Sequence, residues 1–463
     1  MNYSDFLQTK EWRNEQAGFK PLWMPDFLFD FQKDLTEWAI RKGRAAIFAD
    51  CGLGKSVMEF VWALNVAKKT NGRVLLVTPI AVGAQMIAEA EKFDIDGVHR
   101  SRDGKLKGRI IVTNYERLHY FRPEDFAGFA GDESSVLKCF NSKTKNAVNQ
   151  FVRKIRYRLL ATATPAPNDF VELGTTSEAL GYLGHVDMLT KFFQNQNSTI
   201  DTKGHWRGFH ASRMYERKQW NLKGYAQDAF WRWVTSWARS IRKPSDLGYD
   251  NGKFKLPKLV EQDHELQITR KKKGTLFVLP AVGLKEVRDE RKDTIKARCE
   301  KVAELVNADK GFAVVWCNLN PEGDLLEKLI DGAVQVSGKD SDDEKERKLT
   351  EFTQRKCRVL VTKPKIGAWG LNWQHCSHVT YFPNYSYEQY YQGVRRCWRF
   401  GQTKPVTVDR IFTRGDRNSI RNLQRKAAQA DEMFTKIVRE MNHSLEVSSQ
   451  TDFPERTDKP SWV

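Results

Sequence analysis

The 463-residue chain holds no apolar run approaching the roughly 18 residues that a helix needs to cross a bilayer. No membrane role is expected. Its seven cysteines (Cys51, Cys139, Cys299, Cys317, Cys357, Cys376 and Cys397) include no Cys-x-x-Cys pair, and an odd number closes no disulfide framework. Reduced, buried thiols are expected, and His375-Cys376-x-His378 lacks the further ligands of a zinc site. Acidic residues are the minority charge, 58 against 76 Lys plus Arg, for a formal net charge of +18 and a pI near 9.4. A field of that sign favours a polyanion as partner. Residues 1–20 are polar and mixed in charge, unlike a secretory leader, so a cytoplasmic protein is expected.

What is present points to a folded, multidomain protein. Hydrophobic residues make up 40% of the chain and tryptophan occurs 14 times, while the length fits two or three cores. Residues 45–49, 73–79, 109–114 and 158–162 are short apolar runs ending in polar residues, separated by stretches of helical periodicity. A second series, residues 312–316, 334–336, 358–362, 378–382 and 406–412, repeats the pattern. The expected fold is α/β, with two parallel-sheet units that bind ligands at the carboxyl ends of their strands. Residues 1–167 form the first unit, 256–435 the second and 436–463 a polar tail.

Between the units, residues 168–255 show no strand runs and carry Trp206, Trp220, Trp231, Trp233 and Trp237. A helical, Trp-rich insertion is expected there, with Phe230, Trp233, Val234, Trp237 and Ile241 on one buried face. Its basic residues, among them Arg232 and Arg242, are candidates for phosphate contacts. Residues 248–258, with two glycines and Pro257, read as the exit linker.

The chemistry begins at Ala49-Asp50-Cys51-Gly52-Leu53-Gly54-Lys55-Ser56. Between a strand and a helix, such a glycine turn lets backbone N–H groups close around phosphate, with Lys55 reaching the outer phosphates and Ser56 placed to bind Mg²⁺. Asp132-Glu133 supplies a paired acid: one carboxylate for the metal, its neighbour to orient and deprotonate water. The glycine-rich run before it, residues 126–131, is a poor match to the β-branched strand that usually delivers such a pair. Far downstream, Arg396 and Arg399 are three apart between Gln392 and Gln402, which suits charge developing on a transferred phosphoryl group.

Together these pieces resemble the superfamily 2 helicases and translocases, within them the Swi/Snf-like branch, and in compactness the helicases of bacteriophages. Phe31-Gln32 is placed like the adenine-reading glutamine, residues 49–56 like motif I, Val77-Thr78-Pro79 like motif Ia, and Thr113-Asn114-Tyr115-Glu116 like motif Ib. Asp132-Glu133 resembles motif II, with Ser135 where many relatives carry histidine, and Ala161-Thr162-Ala163-Thr164-Pro165 resembles motif III. Residues 362–373 are similar to motif V and 392–406 to motif VI.

The resemblance implies two RecA-like P-loop domains and an ATP-dependent DNA helicase or translocase working on single-stranded, forked or branched DNA, in preference to RNA, as a monomer. ATP and Mg²⁺ are the implied cofactors, held by Gln32, Gly52, Leu53, Gly54, Lys55, Ser56 and Gly370, with Ser56 and Asp132 on the metal. Glu133 is the implied base, Arg396 and Arg399 the arginine fingers, and Gln392 sits near the γ-phosphate; Arg395 is expected to matter much less. Thr78, Thr113, Asn114, Lys363, Lys365 and Trp369 are the implied nucleic-acid contacts, although packing behind the loop is the favoured role for Trp369 and Trp373. A duplex translocase that displaces proteins, or a degenerate ATPase serving as a basic scaffold, are the alternatives.

Overall fold

The computed structural model describes residues 17–139, 142–198, 217–267, 284–368 and 370–449. In the first half the apolar runs become β1 (Arg44–Ala49), β2 (Arg73–Thr78), β3 (Val98–Arg100), β4 (Ile110–Asn114), β5 (Phe126–Gly131) and β6 (Tyr157–Thr162). Three more strands follow: β7 (Phe193–Ser198), β8 (Arg217–Leu222) and β9 (Ala238–Ile241). All but β7 and β8 join one parallel sheet in the order β3-β4-β2-β5-β6-β1-β9.

The second half forms β10 (Leu259–Leu266), β11 (Ala313–Trp316), β12 (Ala333–Val336), β13 (Val359–Thr362), β14 (His378–Tyr381) and β15 (Val406–Thr413). These make a six-stranded parallel sheet ordered β10-β15-β14-β11-β13-β12. Parallel neighbours need crossovers, and helices supply them on the sheet faces. The architecture is two parallel α/β units flanked by helices, consistent with two RecA-like domains.

Strand β5 shows why its sequence is so poor in branched residues. The helix Lys55–Thr70 lies directly on it, and a Cβ on Gly128 would come within 2.9 Å of Val66 Cγ1 and 3.2 Å of Val74 Cγ2. Glycine here makes room for the helix that carries Lys55. The short strand is therefore a tight seat rather than a weak element, and it sits between β2 and β6 in the sheet.

Residues 168–255 differ from expectation. They are not free of strands: β7 and β8 pair as an antiparallel ribbon, and β9 adds to the first sheet beside β1. The expected buried face is present: Phe230, Trp233, Val234, Trp237 and Ile241 are all inside. Its helix, however, stops at Thr235, and Ala46 N–H then bonds to Trp237 O at 2.9 Å to start the β9 ladder. The Trp cluster shares its core with Phe48, Leu75 and Phe129 of the first sheet. Trp206 lies outside the described residues.

The boundary expected at 435/436 also falls inside an element. Helix Arg417–Ser449 leaves the second unit, where Leu423 and Ala430 pack, and reaches the first, where Met433, Phe434 and Ile437 join the Trp core. Arg242 anchors it through an ion pair to Asp431 at 2.6 Å and by lying 4.4 Å over the Phe434 ring. One helix thus straps the two units together.

Candidate active site

At the end of β1 the chain turns through residues 50–54 into the helix Lys55–Thr70. Gly54 adopts φ +79°, and a Cβ there would lie 2.3 Å from Gln32 Nε2. Glycine alone fits beneath that amide. Gln32 braces the turn by donating to Leu53 O at 2.9 Å while its Oε1 accepts from Phe29 N–H at 3.0 Å. No side chain caps the helix start, so its first N–H groups remain available to an anion. Lys55 Nζ spans the turn, donating to the carbonyls of Ala49 at 2.9 Å and Asp50 at 3.4 Å.

Strand β5 delivers the acid pair beside this loop. Asp132 is buried; its Oδ2 accepts from Thr78 Oγ1 at 3.0 Å, and its carbonyl accepts from Tyr115 OH at 2.8 Å. Burial pushes the Asp132 carboxyl up to about 7, helped by the adjacent Glu133, with Lys55 and Thr78 pulling the other way. A cation placed there relieves that cost. Glu133 holds φ +49°, a left-handed conformation that costs a residue other than glycine roughly 1–3 kcal/mol and clusters at working sites. Its Oε2 accepts from Thr162 Oγ1 and Gln392 Nε2, each at 3.4 Å.

Gln392 belongs to the other unit. It is fully buried at the end of helix Tyr387–Val394 and also reaches Thr164 Oγ1 at 3.4 Å, so the acid pair and residues 162–164 are tied to the second unit through one amide. Arg396 follows, donating to Gln392 Oε1 at 2.6 Å and Leu371 O at 3.1 Å; Arg399 donates to the same carbonyl at 3.1 Å. Burial and then the neighbouring Arg396 push the Arg399 guanidinium down to about 10. Two guanidinium groups so placed call for an anion between them.

Residues from both units line a single cavity of about 310 Å³. Gln32, Gly52, Gly54, Lys55, Ser56, Asp132 and Glu133 come from the first, Gly370, Arg396 and Arg399 from the second. Leu53 is buried beneath, giving its carbonyl to Gln32. The cation-seeking carboxyl pair and the anion-seeking arginines face the same space. That donor set, with a glycine cradle and an uncapped helix start, fits a Mg²⁺–nucleotide.

Sequence reasoning missed several residues here. Arg395, expected to matter little, is 3% exposed and forms an ion pair with Asp50 of the phosphate loop at 2.5 Å, with a second bond to Cys51 O at 3.2 Å. Burial disfavours its charge, but Asp50 more than offsets this and raises its pKa. Tyr391 also donates to Asp50. Nothing in the local pattern distinguishes Arg395 from its neighbours, because its partner is 345 residues away. Glu59, one turn after Lys55, is buried with neither carboxylate oxygen hydrogen-bonded, and burial followed by Asp132 drives its pKa well up.

The residues expected to grip nucleic acid separate into two groups. Thr78, Thr113 and Asn114 are buried and spend their side chains inside: Thr78 on Asp132, Thr113 on Ser101 O, Asn114 on the carbonyls of Thr78 and Pro79. They shape the loops rather than face a groove. Arg242 is likewise committed to Asp431 and Phe434. Lys363 donates to Asn320 Oδ1 at 2.6 Å, Arg232 is exposed, and Lys365 lines a groove between the units. Trp373 is buried and donates to Thr353 Oγ1, the favoured packing role. Trp369 lies outside the described residues.

Residues 297–401 match the helicase conserved C-terminal domain. That stretch holds Lys363, Lys365, Gly370, Gln392, Arg396 and Arg399, which places the second unit's wall of the cavity inside the matched region. The match supports a member of helicase superfamily 1 or 2, with a helicase- or translocase-type, nucleic-acid-dependent function; that family uses ATP, normally with Mg²⁺. The curated proteins include no match to the chain. Among the described residues, no helix is long and apolar enough to cross a membrane.

Proposed function

We propose that the protein is an ATP-dependent DNA motor of the Swi/Snf-like branch, a helicase or translocase that couples Mg²⁺–ATP hydrolysis to stepping along forked or branched DNA. The observation that carries this reading is the shared cavity: the phosphate loop and acid pair on one unit face Arg396 and Arg399 on the other. Lys55 and the loop N–H groups bind the phosphates, and Ser56 with Asp132 holds Mg²⁺, which supplies charge neutralisation on the phosphate oxygens. Glu133 orients the attacking water and takes its proton. Arg396 and Arg399 stabilise charge on the transferred group only when the units are closed, which ties hydrolysis to their relative movement.

Nucleic acid lies in the groove between the units, lined by Ile80 and Tyr115 from the first and by Lys345 and Lys365 from the second. Contacts there go to the phosphate backbone and carry no sequence preference. ATP hydrolysis measured without nucleic acid and with single-stranded, duplex and forked DNA or RNA tests the reading. Hydrolysis stimulated by DNA is expected, most by forked substrates. Absence of stimulation by every nucleic acid rules the motor out, whereas stimulation without strand displacement on a forked duplex selects a translocase that does not unwind.

A further inference from the structure

The groove is interrupted by a cluster of four charged side chains. Arg100, at the end of edge strand β3, pairs bidentately with Glu346 at 2.9 and 3.2 Å. Arg102 reaches Asp343 at 2.9 Å and Glu346 at 2.9 Å. Both arginines belong to the first unit, both acids to the first half of helix Asp342–Thr353 in the second. On one side lies a hollow of about 410 Å³ that contains Lys138, Lys345 and Lys365; on the other, one of about 390 Å³ contains Arg347 and Lys356. Glu346 lines both hollows, so they adjoin at this cluster.

Stability accounts for only part of the arrangement: the bidentate Arg100–Glu346 pair is 17% and 28% exposed and helps to join the units, whereas Asp343 is 84% exposed and Arg102 42%, and an ion pair in such water contributes little and fades with salt. The units are already joined by the buried Arg395–Asp50 pair and by helix Arg417–Ser449. What the acids do achieve is to occupy two guanidinium groups in the planar, two-bond geometry that also suits a phosphate. Around the cluster both signs of charge are present: Lys345 pairs with Asp342, Lys138 with Glu388 and Arg347 with Glu351, Glu116 lines the first hollow, and Lys365 and Lys356 are exposed.

We propose that Arg100 and Arg102 bind backbone phosphates, and that Asp343 and Glu346 cover them in the free protein, so that nucleic acid connects the two hollows by displacing these carboxylates. This rests on the groove assignment above and adds the regulation of that same surface. The cover favours a polyanion that presents several phosphates in succession over a free anion, because only the former gains the flanking lysines as it displaces the acids.

The test is binding of a labelled DNA duplex to the full chain across a range of salt, with ATP hydrolysis in the absence of DNA as a control. Asp343→Asn/Glu346→Gln is expected to bind about fivefold tighter than the unaltered protein at low salt. Arg100→Gln/Arg102→Gln is expected to bind more weakly, with the slope of log K against log salt shallower by about 1.8, two phosphates' worth. DNA-independent hydrolysis should be the same in all three. If the unaltered protein binds DNA but the first variant binds no tighter, or the second keeps the full slope, the cover is refuted and the four residues are a structural bridge. If no protein binds DNA at any salt, the motor reading itself fails, and the cover with it.

Discussion

Arg395 offers the sharpest perturbation of the link between the units. Its guanidinium and the Asp50 carboxylate are 4% and 10% exposed at the side chain, so neither has water to fall back on when the other is removed. Breaking a buried pair from one side costs about 3–5 kcal/mol. Because the partners lie on different units, that cost falls on closure rather than on either fold. A loss of about 3 kcal/mol moves the closed-to-open ratio roughly 150-fold. Arg395→Met and Asp50→Asn should each open the protein by that order, as read by energy transfer between dyes on the two units. The double variant, lacking both charges, should be no worse than either single one, giving a large coupling term in the cycle. Purely additive effects, or variants that stay as closed as the parent, would refute the claim that this pair holds the units together.

Three further expectations follow from named contacts. Gly370 has φ +70°, and a Cβ there would lie 2.0 Å from Val82 Cγ2 on the opposite unit. Gly370→Ala should lower kcat about a hundredfold by misplacing the arginines, and Val82→Ala in the same chain should recover part of it. Phe434→Ala, in the strap helix, should cost about 3–5 kcal/mol and split a single calorimetric transition into two as the units uncouple. Burial pushes the Asp409 carboxyl up, but hydrogen bonds from His378 and His264 outweigh it and leave it below its ordinary value. The stability it contributes is present above the unfolded value near 3.9 and lost as pH falls through the folded one. In denaturant titrations Asp409→Asn should be less stable than the parent at pH 7, with the gap closing below about pH 4.

Most of both sheets was legible because buried parallel strands advertise themselves as apolar runs that end in polar residues, as at Val77-Thr78 and Val361-Thr362. The phosphate loop was legible for a similar reason, its glycines falling between such a run and a helix. Strand β9 was not. Residues 230–241 satisfy helical periodicity throughout, and it is the pairing with β1, from the Ala46–Trp237 hydrogen bond to that of Asp50 with Ile241, that makes the last turn a sheet edge. Likewise, Thr78 and Asn114 were expected in the groove because the stretches that hold them resemble motifs Ia and Ib. Their hydroxyl and amide are short enough to turn back onto Asp132 and the Thr78 carbonyl, and burial favours that. Arg395 and the strap helix depend on pairings hundreds of residues apart, which no local pattern encodes.

The central claim is that one ATP site is divided between two units. The most direct measurement compares ATP binding and hydrolysis in the parent, Lys55→Ala, Arg396→Ala and Arg399→Ala proteins with saturating DNA. Lys55→Ala should lose nucleotide binding, whereas Arg396→Ala and Arg399→Ala should keep DNA binding and most nucleotide affinity but hydrolyse on the order of 10³-fold more slowly. Hydrolysis at the parent rate in Arg396→Ala and Arg399→Ala would show that the second unit's arginines take no part, and the divided site would be wrong.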